Sequence, residues 1–229
     1  VLGSRGLGDV YKRQQLLLLL SFVVSGMFAP VYLYAGEKKG NAPHYGISVA
    51  VKTNLYSLTG FTPDFEYATV MPNLEAELFF SDRWSISVSG LYSHFEGCYG
   101  TGRFWGVSAY TLQPRFWFYG DGLFQGPFAG VYGRIGDFDI RRRYNGDLKR
   151  STDNKTGHYW ETGISAGWSF AFCQNWLLEL SASCGYLHAT VMPYEPNPAG
   201  EFYQTARYGK SRFDLTGISI SLGYRFKVK

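Results

Sequence analysis

Histidines, a threonine and a run of arginines are the residues of this chain best suited to chemistry. In "LHAT", Leu187 to Thr190, an imidazole and a hydroxyl stand two residues apart, which on a strand puts both on one face. With Glu195 or Glu161 orienting the ring, His188 and Thr190 have the makings of a base and a nucleophile. His158 and His188 fall on neighbouring strands with the same outward parity, near enough in register to share a metal. With His94 they all sit at the outer ends of strands, and the plainer reading is rim histidines that hold no metal; no cofactor is expected. The segment "IRRRYNGDLKRSTDNKTG", 140–157, carries Arg141, Arg142, Arg143, Lys149, Arg150 and Lys155 against Asp147 and Asp153. Guanidinium forks and ammonium groups suit phosphates and acidic glycans; a solvated loop is the alternative. A last link, "ATVMPYEPNPAGEFYQTARYGK", has the prolines and tyrosines of a semi-rigid contact surface.

Other chemistries are excluded by what is missing. There is no P-loop, dinucleotide fingerprint, zincin motif or G-x-S-x-G elbow. A net charge of +4 is too small an excess for a nucleic-acid footprint. Cys98, Cys173 and Cys184 are odd in number and lack a C-x-x-C spacing, so free thiols are expected rather than a zinc site or a disulfide framework.

Positioning these residues falls to strands. With 28 Gly, 18 Tyr, 18 Phe and 17% charged residues, the chain is aromatic-rich and charge-poor for an ordinary soluble domain. Period-two alternation marks eight runs, 46–56, 73–81, 84–95, 107–119, 127–137, 158–172, 176–188 and 212–228. Most are longer than soluble strands and match the length a tilted strand needs to cross a bilayer. Their links alternate: short ones ("DR", "GDGLFQG", "CQN") follow the second, fourth and sixth runs, long ones the others. That sorting is expected of an all-β, eight-stranded antiparallel up-and-down transmembrane β-barrel with its termini and short turns on the periplasmic side.

Parity then assigns faces. Ile47, Val49, Val51, Leu74, Leu78, Trp84, Leu112, Phe116, Val131, Ile135, Trp160, Ile164, Trp168, Trp176, Leu180 and the alternating residues of Ile218 to Phe226 point outward to lipid, with aromatics gathered at the short-turn end. Serines and glycines fill the opposite faces. The charges obey the same parity: Lys52, Arg115, Arg134 and Arg225 face inward with Glu75, Glu77, Glu161 and Glu179. Four of each sign suit a structural ion-pair network in an interior too narrow for an aqueous channel.

At the N-terminus, 1–14 reads as an adapter or assembly scar, 15–35 as a secretory signal peptide and 36–45 as a periplasmic segment before a barrel over 46–229. The segments "VKTNLY", "PNLEAEL", "RWSISVSGLY", "QPRFWF", "GPFAGVYG", "NWLLELSASCGY" and "GISISLGYRFK" resemble the outer-membrane β-barrel proteins of unknown function common in gut Bacteroidetes, with Glu75 standing where that family is expected to have glycine. The resemblance implies outer-membrane location and insertion by the barrel assembly machinery, and brings no catalytic residues. The expected function is therefore structural or surface-binding, with outer-membrane lipid, lipopolysaccharide, a surface glycan or a protein as partner. Two alternatives stand beside it. The His-x-Thr spacing is similar to that of outer-membrane lipid A deacylases, which would make the chain a lipid-modifying enzyme; a soluble lipocalin-like small-ligand binder would need an apolar interior instead.

Overall fold

A computed structural model describes residues 47–63, 68–96, 104–120, 122–142, 153–172, 175–196 and 202–227. Chain contacts divide the protein at Pro43/His44, and every described residue belongs to the second unit. The readings of 1–14, 15–35 and 36–45, together with Cys98, Cys173, Arg143, Lys149 and Arg150, lie outside the described residues.

The alternating runs become β1 (Ser48–Asn54), β2 (Asn73–Ser81), β3 (Trp84–Glu96), β4 (Phe104–Trp117), β5 (Gly126–Arg142), β6 (Asp153–Phe172), β7 (Trp176–Pro196), the short β8 (Phe202–Gln204) and β9 (Tyr208–Lys227), with a single helical turn, α1 (Leu55–Leu58), after β1. Each long strand pairs antiparallel with its neighbours from β1 round to β7; β9 then pairs with both β7 and β1, so eight strands close into a ring. Val49 lies opposite Phe226 and Asn54 opposite Ser221. Closure leaves neither end of the meander with an unpaired edge along β1. β8 pairs with the end of β7 beyond β9, on the edge that β9 occupies as far as Val191, with Glu195 opposite Tyr203.

Four strands outrun their expected lengths by more than one residue. β5, β6, β7 and β9 have 17, 20, 21 and 20 residues, and apart from Gly126 the additions are at the long-link end. Arg141, Arg142 and Lys155, expected in a loop, are strand residues, and β5 pairs Arg141 with Asn154 and Ile140 with Lys155. Beyond Asp137 and His188 both faces carry polar groups, so the hydrophobic period fades while the backbone ladder continues. β1, in contrast, stops at Asn54, because that side chain accepts the Tyr56 amide and caps α1.

At the short-turn end the interior is apolar. Phe79, Trp117, Phe128 and Leu177 point inward from four strands, Ala50 lies among them, and Phe124 enters from the β4–β5 turn. The Phe79 and Phe124 rings lie 4.4 Å apart and Trp117 and Phe128 5.0 Å. Burying each large side chain contributes about 1.5–3 kcal/mol. The inward glycines are part of the same packing: Phe128 lies across Gly167, its partner on β6, and Phe138 across Gly157, so bulk on one strand fills the space that its neighbour leaves.

Candidate functional site

Above the aromatic layer, β1, β2, β4 and β7 bring five charged residues together. Lys52 Nζ lies 2.5 Å from Glu77 Oε2, 2.7 Å from Glu179 Oε2 and 2.9 Å from Glu75 Oε1. Arg115 repeats the set, at 2.9 Å from Glu75 Oε1, 3.0 Å from Glu77 Oε2 and 3.2 Å from Glu179 Oε2. Ser85 donates to the other Glu77 oxygen at 2.5 Å and receives the Trp117 indole N–H at 2.8 Å, which ties the cluster to the aromatic layer. The Arg115 guanidinium also lies over the Phe128 ring. Two cations thus face three carboxylates. Glu179 Oε1 and Arg115 Nε are buried with no hydrogen-bond partner among the described residues.

The remaining three of the eight inward charges do not join this cluster; Arg134 and Glu161 form a second one. They are direct cross-strand partners, with Nη1 3.2 Å from Oε2. Tyr132 donates to Glu161 Oε1 at 2.6 Å, and its hydroxyl also lies 2.5 Å from Thr216 Oγ1. Thr216 is the extra residue of a β-bulge on β9, where Gly217 pairs with Ser183 but Leu215 with Cys184; the bulge turns Thr216 inward to accept Arg134 at its carbonyl. Arg225 belongs to neither cluster: it lies over Phe79 and donates to the Leu123 carbonyl at 2.5 Å. Parity assigned all eight to one face, but their height along the strand decides which of them meet.

The rim chemistry is rearranged relative to expectation. His188 faces Trp160 across the β6–β7 ladder, and the rings lie 5.8 Å apart. Its Nδ1 reaches Ser211 Oγ on β9 at 2.8 Å, so the hydroxyl beside it comes from the next strand and not from Thr190. Glu161 bonds Tyr132 and Arg134 on the opposite side of the sheet, where it cannot orient His188, and Glu195 is an exposed partner of Tyr203 near the end of β7. His158 pairs with Thr190, and His94 lies against Phe104 at 4.7 Å. Among the described residues no three metal-ligating side chains gather. Cys184 is a free thiol.

Two asparagines that sequence reasoning left unassigned hold the ring where β1 ends. Asn73 accepts the Asn54 N–H at 2.6 Å and donates to its carbonyl at 3.0 Å, while Thr53 Oγ1 donates to the Asn73 carbonyl. Asn54 in turn accepts the Ile220 N–H at 3.1 Å and donates to the Ile218 carbonyl at 3.3 Å. The amide side chains stand in for missing strand rungs. The quoted segments "VKTNLY" and "PNLEAEL" held this signal, since Asn is a poor strand residue and two of them flank the first long link.

The architecture defines an all-β, antiparallel up-and-down ring that carries buried ion clusters and an exposed apolar exterior. The chain belongs to the DUF3575 family of proteins of unknown function, whose pattern it matches over residues 31–226. No curated protein matches it.

Proposed function

We propose that this protein is an integral outer-membrane β-barrel without an open pore, which serves a structural or surface-binding role through its long extracellular segments. The observation that carries the reading is the exterior. Trp84, Val88, Leu112, Phe118, Val131, Ile164, Phe170, Trp176, Leu180, Ile220 and Phe226 are exposed there, and among the described residues no Asp, Glu, Lys, Arg or His interrupts them on the outward parity until His94, Asp137, His158 and His188. Exposed Tyr92, Tyr110, Trp160, Tyr186 and Phe213 bound the belt above, and Trp84, Phe118, Phe170, Trp176 and Phe226 below, as two interfacial girdles would. Along β6, Trp160 to Phe170 spans about 33 Å of strand at about 3.3 Å per residue, or roughly 25 Å of height at a tilt near 40°. Trp168, on the same face, is covered by Tyr119, which packs edge-on against it.

An interior filled by the aromatic layer and two ion clusters supports a plugged barrel and disfavours a lipocalin-like apolar cavity. It requires no helical span, and no described helix is long and apolar enough to cross a membrane. Location is tested by fractionation: the protein should stay with outer membranes after carbonate extraction and migrate faster on a gel unheated than boiled. Recovery in the soluble periplasm would end the membrane reading.

The 2.8 Å contact between His188 and Ser211 at the upper girdle keeps a second reading, a lipid-modifying barrel, in play. Its test is the pattern of lipid A acylation in cells with the native protein and with Ser211→Ala; an identical pattern removes it.

A further inference from the structure

β9 outruns its neighbour on one side. Its last pairing with β1 is Ser221 with Asn54, yet the strand continues back to Tyr208 with β7 on its other edge as far as Val191. Which backbone groups face the vacant side can be read from those that are bonded. The Arg225 N–H goes to Asn175 on the β7 side, whereas the Ile220 N–H and Ile218 carbonyl go to Asn54. Even-numbered residues therefore face β1. The bulge at Thr216 reverses this phase, so that Leu215, Phe213, Ser211 and Gly209 face it instead. In agreement, the Leu215 N–H is taken by the neighbouring Asp214 Oδ1 at 2.8 Å and by no strand.

The edge is thus covered in stages. Asn54 covers it within the ring and Asp214 at the rim; beyond Leu215 no described strand pairs with it. There the segment is exposed on both faces, with Phe213 74% exposed. Lys210 and Arg212 stand out from it, Arg207 precedes it, and the single acid, Asp214, is already engaged 3.6 Å from Arg212.

We propose that Gly209–Phe213 is a docking edge for an extended, acidic segment of a partner protein, which adds as a further strand beside β9. Backbone N–H and C=O groups of residues 209, 211 and 213 supply the rungs, and carboxylates on the incoming strand meet Lys210 and Arg212 across the new ladder. This deepens the surface-binding reading above and rests on it for the side from which the partner comes. The docking itself is testable on the protein folded in detergent micelles, where failure to bind leaves the fractionation result untouched.

Hydrogen exchange of the free protein should be fast at the amides of Ser211 and Phe213 and slow at Arg212 and Asp214, which bond toward β7. A blocked heptapeptide of alternating Val and Glu should slow exchange at Ser211 and Phe213 and bind saturably. Its Val–Lys counterpart should not. Phe213→Pro removes an edge donor that the β7 ladder does not use and should weaken peptide binding by about tenfold, while heat-modifiable migration is retained. Lys210→Glu with Arg212→Glu should abolish binding. Amides already protected without peptide, equal binding of both peptides, unchanged binding by Phe213→Pro, or cross-linking of two copies through this edge in place of peptide binding would each overturn the proposal.

Discussion

Lys52 is the residue on which the interior turns. It meets three carboxylates, and Arg115 meets the same three. Removing one cation leaves three acids around a single guanidinium, so Lys52→Met should cost about 3–5 kcal/mol. Glu179→Gln has the opposite logic. It balances the cluster at two charges of each sign and alters a side chain whose Oε1 has no donor among the described residues, so it should cost far less than Glu77→Gln, where both oxygens are bonded. Denaturant unfolding of the three variants in one detergent orders them; Glu179→Gln at least as damaging as Glu77→Gln would show that the unequal hydrogen bonding of the two carboxylates does not set their contributions. Glycine is equally constrained at 163. A Cβ there would strike the Cys184 carbonyl and the Gly185 Cα on the facing strand, so Gly163→Ala should cost about 1–3 kcal/mol through overpacking alone, measured in the same way.

Strand existence was legible because lipid-type alternation and tight turns coincide; strand ends were not. The runs at 73–81 and 84–95 recur almost residue for residue as β2 and β3, where apolar residues persist to the last rung. The alternation predicts an end of β7 at His188, yet the strand continues to Pro196, because backbone pairing carries on past Thr190, where the outward apolar series breaks while Ala189 and Val191 stay buried on the inward face. The ion clusters were legible as a set of inward charges from parity, but not as two groups, since register depends on turns, on the Asn54–Asn73 clasp and on a bulge that leaves no period-two trace. At this scale the face assignment is testable. Leu180→Arg puts a charge on the outward face near mid-strand and should cost about 2–4 kcal/mol in a bilayer, read from folding titrations in lipid vesicles. A neutral effect there, with Trp176→Arg equally neutral, would reject lipid contact.

For the whole molecule, closure is the event that everything else presupposes. Val51 pairs with Tyr224, so cysteines at these positions should be joined within one chain by a short bifunctional reagent after folding, and not in the urea-unfolded protein. Deleting Tyr224 to Lys229 removes the β9 half of the Val49 and Val51 rungs together with Arg225. The truncated chain should fail to reach the fast-migrating folded form, despite its small loss of length; normal folding of this variant would disprove the closed ring.

The β4–β5 turn gives that closure an order in time. Gly120, Gly122, Phe124 and Gly126 all take positive φ, a conformation disfavoured at Phe124, where the side chain is not glycine. Phe124 is held against Phe79 of β2 and Trp117 of β4, and Arg225 of β9 grips the adjacent Leu123 carbonyl. The tip of an early hairpin therefore gains its last grip, from Arg225, only when β9 is in place. The turn should act as a completion latch: a chain cut back before β9 should be cleaved by added protease at Leu123 and Phe124 sooner than the folded full-length protein, and equal resistance would remove the idea.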